Sequence, residues 1–354
     1  MKKGTAPRQC LSLTVFLAAG IVVACSVNAP PWRKSAQDII TPAAAAQVVK
    51  SYWAVNEKAA QSNDSELFAQ IQSGLLLEAD RGIAQAYRAL GSPHLASPRP
   101  LRKVTTFVTH QHIYPAEFLA LIETVGADQG GRLTSQPLSF LDHFVRPSSA
   151  DPWKADFYVV VDLARGIHLA LDSDGYAAAV ALSSTKYAVR PEQLAPTLVT
   201  YWESGTKTGS PSGPYAPGSL TTGSVESLRN YASNMSQVGY KTDFGFVPGT
   251  LVRAYRMSNG QAMVLFAFTV TEIVTPASAD GCILQPKNKL ESWGGLVPAG
   301  SWSSLATDLL VEAAAIDPIA APNAQVDVVF SAADVVAART GPPVPGCQAE
   351  AGGH

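Results

Sequence analysis

The order of apolar patterns predicts an α+β fold of two tandem domains, each with helices packed on a curved antiparallel sheet. Three observations carry that expectation. A helical apolar period after Thr41 gives way, past the proline-containing stretch 93–100, to runs rich in β-forming residues. The same helix-then-strand order restarts after Arg190, where Leu198-Val199-Thr200-Tyr201-Trp202 echoes Val48-Val49-Lys50-Ser51-Tyr52-Trp53. The chain is also 354 residues long, beyond the roughly 250–300 residues at which a single hydrophobic core stops growing. The expected boundaries are 41–189 for the first domain, 190–340 for the second and 341–354 for a tail.

In the first half, Thr41-Pro42 is a helix N-cap followed by a proline in the first turn. Val48, Tyr52, Val55 and Ala59 then recur at i, i+4, i+7 and i+11, the stripe of an amphipathic helix. Asn63 with Glu66 has the spacing of a capping box for a second helix, whose face is Leu67, Ile71 and Leu75. Gly82 interrupts, and Ile83, Tyr87 and Leu90 predict a third helical piece before Gly91. Strands are expected at 104–111, 117–125, 156–163 and 176–183, with Asp174-Gly175 as a turn before the last.

In the second half, 191–203 reads as a helix, and the Gly/Ser/Pro/Thr stretch 205–223 as a flexible, exposed connection. Tyr215 in that stretch is then an aromatic with no core duty, placed to touch a partner. Ser224 caps a helix from Val225 to about Val238, and strands are expected at 250–257, 261–275, 305–315 and 325–331.

The N-terminus has the makings of an export signal. Lys2, Lys3 and Arg8 form a positive region, and the uncharged run 11–24 is too short to span a bilayer but suits a signal core. Val22-Val23-Ala24-Cys25 closes it as a lipobox. Small and branched apolar residues fit a membrane-embedded peptidase, and the Cys25 thiol is the nucleophile there that takes a diacylglycerol. Residues 1–24 are then a signal peptide and 25–40, with Pro30 and Pro31, a tether. The expected location is outside the cytoplasm, with the lipid bilayer as partner through acylated Cys25.

Cys10 leaves with that signal and Cys25 is consumed by lipid, so Cys282 and Cys347 remain as an even pair in an oxidising compartment. A disulfide between them is expected, tying the tail back to the loop near Gly281. Charged residues make up 15% of the chain against a usual ~25%. The net charge of −2 becomes more negative once the basic signal is removed, which argues against nucleic acid as a partner.

Helices followed by a curved antiparallel sheet resemble the cone-like cystatin fold of nuclear transport factor 2-like domains. Asp151-Pro152-Trp153-Lys154 is similar to the segment that introduces a late sheet strand in many of them. The lipobox, the Thr41-Pro42 helix start, Tyr114-Pro115-Ala116-Glu117-Phe118 and the duplicated layout together resemble a family of uncharacterised actinobacterial lipoproteins. That resemblance covers most of residues 38–340 and implies no activity.

Chemistry-bearing motifs are few. His110 and His112 share one face of an expected strand, as two metal ligands would, with His143 beside Asp142, or His168, as a distant third. No local ligand spacing supports zinc, and solvent-facing strand residues are the simpler account. Ser183-Ser184-Thr185-Lys186 and Lys207-Thr208-Gly209 spell elements of penicillin-binding enzymes, but they lie too close together and in the wrong local structure. Gly209-Ser210-Pro211-Ser212-Gly213 has proline where a nucleophile elbow needs serine. Asp172-Ser173-Asp174-Gly175 begins like a calcium loop and lacks its later ligands. The expectation is therefore no cofactor, no metal and no catalytic set.

Aromatic residues mark the expected ligand pockets, one per domain. Tyr52, Trp53, Phe107 and Phe157 are the candidates in the first half, and Tyr201, Trp202 and Phe266 in the second, with filled core as the alternative. The function expected is non-enzymatic binding or scaffolding at the cell envelope, with another envelope protein or a small apolar molecule as partner. The alternatives are a carrier of a lipid or other apolar ligand, and an extracellular hydrolase using His110, His112 or His143. In a cell that makes the full chain, Cys25→Ser is expected to abolish labelling by radioactive palmitate and to leave the signal uncleaved. Normal processing and membrane partitioning of that variant would overturn the anchoring.

Overall fold

The computed structural model describes residues 38–89, 91, 99–127, 133–285 and 296–347. The expected signal, Cys25 and most of the tether lie outside them. Helix α1 is Pro42–Ser62, opened by the Thr41 hydroxyl, which accepts from Ala44 N–H at 3.3 Å. It closes at Asn63, whose φ of 49° is left-handed. That role leaves Asn63 unfit to cap the next helix. Helix α2, Ser65–Ile71, is capped instead by Asp64, which accepts from Glu66 and Leu67 N–H at 2.9 and 3.2 Å. Helix α3 is Gly74–Ala89 and runs straight through Gly82. A Cβ at Gly82 would meet the Val336 carbonyl at 3.0 Å, so this glycine allows close helix–sheet approach rather than breaking the helix.

The first meander consists of β1 Leu101–Val108, β2 Ala116–Ala127, β3 Leu133–Arg146 and β4 Lys154–Val161. Strand β3 went unread in the sequence, because buried Asp142 and His143 interrupt its apolar alternation. The expected strand at 176–183 is instead loop, joined to its surroundings by single bridges at Ala177 and Ala179.

Helix α4, Leu194–Thr208, outlasts its expected end, and α5 is Thr222–Gln237. The connection between them is not the exposed loop expected. Tyr215 is 2% exposed, and its hydroxyl donates to the Leu194 carbonyl at 2.8 Å and lies 2.7 Å from the Thr197 hydroxyl. The rest is β5 Tyr240–Arg256, β6 Ala262–Pro276, a small hairpin of β7 Ile283–Gln285 with β8 Gly300–Trp302, β9 Leu305–Asp317 and β10 Asp327–Thr340. Cys282 and Cys347 are bonded through sulfur, with Cα atoms 6.3 Å apart, beside that hairpin.

All eight long strands belong to one antiparallel sheet, in the order β1-β2-β3-β4-β10-β9-β6-β5. Each half supplies a four-stranded meander, and the two join edge to edge at β4 and β10 through one pair, Val160 with Ser331. Three apolar layers result. Phe118, Phe140 and Phe144 pack under α1, and Phe266 and Phe268 under α4. Between the meanders, Leu119, Leu141 and Phe157 of the first half pack with Tyr255, Met263, Leu265 and Phe330 of the second. The sequence pattern expects each half to own its core, yet this middle layer is shared. Residues from Asp38 onward accordingly form one compact unit.

Phe157 is fully buried in the shared layer, where Phe→Ala costs about 3–5 kcal/mol. In urea denaturation followed by both fluorescence and circular dichroism, Phe157→Ala is expected to lower the midpoint of a single transition. Two transitions, only one of them shifted, would show that the halves unfold separately.

Candidate functional site

A cleft of about 340 Å³ opens between α1, α3 and the sheet. Helix spacing builds two of its walls. On α1, Tyr52, Trp53, Asn56, Glu57 and Ala60 fall on one face; on α3, Leu76, Asp80, Ile83 and Tyr87 do the same. The floor comes from Phe140 and Asp142 of β3, two apart and so on one face, with Tyr158 of β4 and Asp334 of β10. Arg99, just before β1, completes the lining.

Hydrogen bonds hold most of the polar groups. The Trp53 indole donates to the Arg99 carbonyl at 3.0 Å, and Arg99 N–H donates to Glu57 at 2.5 Å. Gln72 donates to Asp80 at 2.5 Å and to the Asn56 side-chain oxygen at 3.2 Å. The Tyr158 hydroxyl donates to Asp334 at 2.8 Å, tying β4 to β10 beneath the cleft. Asp142 is only 3% exposed, and its Oδ1 has no hydrogen-bond partner among the described residues.

Burial governs the acids. It pushes Asp80 up to about 7, against the bond from Gln72, with Asp334 adding repulsion. It drives Asp142 well above the carboxylate range, with the charge of Asp80 adding to it. Burial likewise raises Glu57 and Asp334, and it raises Glu312, which lies 1% exposed on β9 with Asp334 as its main repelling neighbour.

A second hollow, about 400 Å³, lies between α4, α5 and the second meander. Trp202, Leu228, Tyr231, Phe244 and Val270 line it, with Glu272 as its acid. The two Tyr-Trp pairs do parallel work. Tyr52 meets Phe144 edge-on with centroids 5.1 Å apart, and Trp202 meets Phe268 edge-on at the same distance. Of the aromatic candidates, Tyr52 and Trp53 line the cleft and Trp202 the hollow. Phe107 and Phe157 are core between the meanders, while Tyr201 and Phe266 are core under α4.

The candidate histidines do not form one group: His110 and His112 share Asp38, and His143 has other partners. His110 lies between Asp38 and Asp172, at 2.9 and 2.8 Å from its two ring nitrogens, and stacks on Tyr176. His112 Nδ1 is 3.5 Å from Asp38. His143, on the other side of the first meander from Asp142, is fully buried: its Nδ1 is 2.5 Å from Asp156 and its Nε2 3.6 Å from Glu117. Arg253 of β5 pairs with that same Glu117, so an Asp–His–Glu–Arg chain runs into the shared layer. Among the described residues no group of three His, Cys, Asp or Glu is arranged to hold a metal ion. Ser183–Lys186 and Lys207–Gly209 stay apart from the cleft, and Lys207 closes α4 paired with Glu203 at 2.6 Å.

The acids of the cleft were missed in the sequence, although a signal was present. Asp80 stands on the buried side of α3, and Asp142 stands between Phe140 and Phe144 where strand alternation calls for an apolar residue. A carboxylate at a core position needs a partner, a proton or a ligand.

These features define an α+β protein with a half-polar, aromatic-walled cleft over a sheet made by both halves of the chain. The family described as Domain of unknown function (DUF8094) matches residues 36–340, and the chain belongs to it. No curated protein and no solved structure matches the chain.

His143 supplies a pH signature. Burial alone would lower its pKa, but the charges and hydrogen bonds of Asp156 and Glu117 outweigh that and raise it. Its protonated form therefore stabilises the fold below its unfolded value of ~6.5, and that contribution disappears as pH rises through the raised folded value. The wild-type advantage in urea midpoint over His143→Gln is expected to be larger at pH 6 than at pH 9. An advantage that grows with pH would show a neutral imidazole.

Proposed function

We propose that this chain is an exported, lipid-anchored binding protein of the cell envelope that holds a small molecule in the cleft between α1, α3 and the sheet. The cleft itself carries the reading: about 340 Å³, within the usual range of ~300–1,000 Å³ for ligand sites, with aromatic walls and a few convergent polar groups. The basic start, the uncharged run 11–24 and the lipobox ending at Cys25 support export and anchoring. Helices followed by a four-stranded meander, twice, support the finer reading of two cystatin-like cones fused at their edges, and with it the kinship to actinobacterial lipoproteins.

A binding role is favoured over hydrolysis by the state of the histidines. Both ring nitrogens of His110 are committed to carboxylates, and His143 is sealed from solvent. General base work needs a ring nitrogen within reach of the proton it abstracts. A second reading, carriage of an apolar guest, is supported by the hollow of about 400 Å³ under α4 and α5, whose lining is mostly apolar.

Native mass spectrometry of the detergent-extracted full-length protein separates these readings. A small molecule held by wild type and lost from Ala60→Trp, which fills the cleft, is the expected result. Loss from Leu228→Trp alone would move the guest to the second hollow. No small-molecule adduct on any of the three proteins would overturn both.

A further inference from the structure

The cleft's charge is lopsided. Among the described residues four carboxyl groups line it, from Glu57 on α1, Asp80 on α3, Asp142 on β3 and Asp334 on β10, and Arg99 is the one basic residue in the lining. Glu312 of β9 adds a fifth carboxyl beneath Asp334. Three of the lining acids have donors: Glu57 has Arg99 N–H, Asp80 has Gln72 and Asp334 has Tyr158. Asp142 differs. It is 97% buried, it lines the cleft, and its Oδ1 lacks a hydrogen-bond partner among the described residues. A buried oxygen without a hydrogen-bond partner destabilises the fold, so this one is a standing acceptor for a ligand donor.

The remaining walls suit a cation. Trp53 is fixed by its indole bond to the Arg99 carbonyl, and its ring lies 5.8 Å from that of Phe140. Tyr158 and Phe140 form a second aromatic pair, 6.3 Å apart, on the floor beside Asp142. Ring faces attract ammonium groups within about 6 Å, the more so when water is excluded.

We infer, building on the binding role proposed above, that the cleft's ligand is a compact organic amine bound as its ammonium ion, with the nitrogen on Asp142 Oδ1 and Asp80 and the carbon body against Trp53 and Phe140. A carboxylate or phosphate ligand would face the four acids with Arg99 alone in its favour. A neutral ligand would leave Asp142 and Asp80 without a counter-charge.

The acids themselves hold the matching protons. Burial holds Asp142 well above the carboxylate range and Asp80 at about 7, so both carry protons in mildly acidic solution. An arriving ammonium supplies the counter-charge that favours ionisation, and protons leave. Glu57 and Asp334, also raised by burial, face the same site and add to that response. Tyr52 and Tyr158 are held protonated by burial. Amine binding is thus expected to strengthen from pH 5.5 to pH 8 and to release protons.

Benzylamine against benzyl alcohol, nearly the same shape with and without charge, tests this by calorimetric titration of the full-length protein in detergent. Benzylamine is expected to bind at least about tenfold more tightly than the alcohol at pH 8. Its heat should vary with buffer ionisation enthalpy, as proton release requires. Asp142→Asn should lose at least about tenfold in benzylamine affinity while melting no lower than wild type, and Glu312→Gln, which does not line the cleft, should lose less. Equal affinity for amine and alcohol, with both blocked by Ala60→Trp, would overturn the cation and leave the binding cleft standing. Absence of benzylamine binding at millimolar concentration would also overturn the amine. The cleft reading would then rest on whether a native guest is lost from Ala60→Trp.

Discussion

Everything in this molecule depends on the seam at which β4 meets β10. One strand pair, Val160 with Ser331, turns two meanders into a single sheet. Beyond that pair the halves are joined by backbone hydrogen bonds from residues 168–188 to β5 and to the turn after β9, such as Val180 N–H to the Ala254 carbonyl at 2.8 Å, and by side chains. Tyr158 reaches Asp334 from the first half to the second, and Glu117 reaches Arg253. The middle apolar layer is possible because the seam sets two sheet faces against each other, so that Phe157 and Met263 lie in one core. Loss of the seam would expose both faces and remove half the cleft floor, since Tyr158 and Asp334 belong to different halves.

Buried charge is handled in two opposite ways on the two sides of the first meander. Beside the shared layer, burial would raise Glu117, but His143 and Arg253 hold it below the usual range. That chain of close contacts runs from β4 through β3 and β2 to β5. Under α1 and α3 the acids have no basic chain of this kind among the described residues, and burial raises their pKa values. Opposite charges in contact make a fixed structural element, whereas acids raised by burial at a cleft remain responsive to whatever enters. The same physics thus yields a clamp on one face and a receptive surface on the other.

Local signals were legible where they are local in origin. The Thr41-Pro42 start, the α1 stripe, the Tyr-Trp echo on α4 and the β6 and β9 runs all come from short-range pattern, and all are present. Errors fell where a residue answers to a distant partner. Asn63 has the composition of a cap yet ends α1, leaving that duty to Asp64. Gly82 looks like a breaker and is a contact with β10, far along the chain. Tyr215 sits in a loop-like stretch and is buried because its hydroxyl donates to the Leu194 carbonyl and lies against the Thr197 hydroxyl in the α4 layer. Strand β3 went unread since Asp142 and His143 serve two sites on opposite faces.

The amino-acid order by itself determined the α+β class, the repeated helix-to-strand layout, the aromatic positions on α1 and α4, and the pairing of Cys282 with Cys347. Those follow from periodicity and composition, which act over a few residues or by simple count. Only the tertiary structure decided that the two halves share a core, that Tyr52 and Trp53 line a cleft while Phe107, Phe157, Tyr201 and Phe266 do not, and that four carboxyl groups converge on that cleft. The physical reason is that burial, and with it the protonation of an acid, depends on which distant strand or helix closes over a residue, and no local pattern carries that distance.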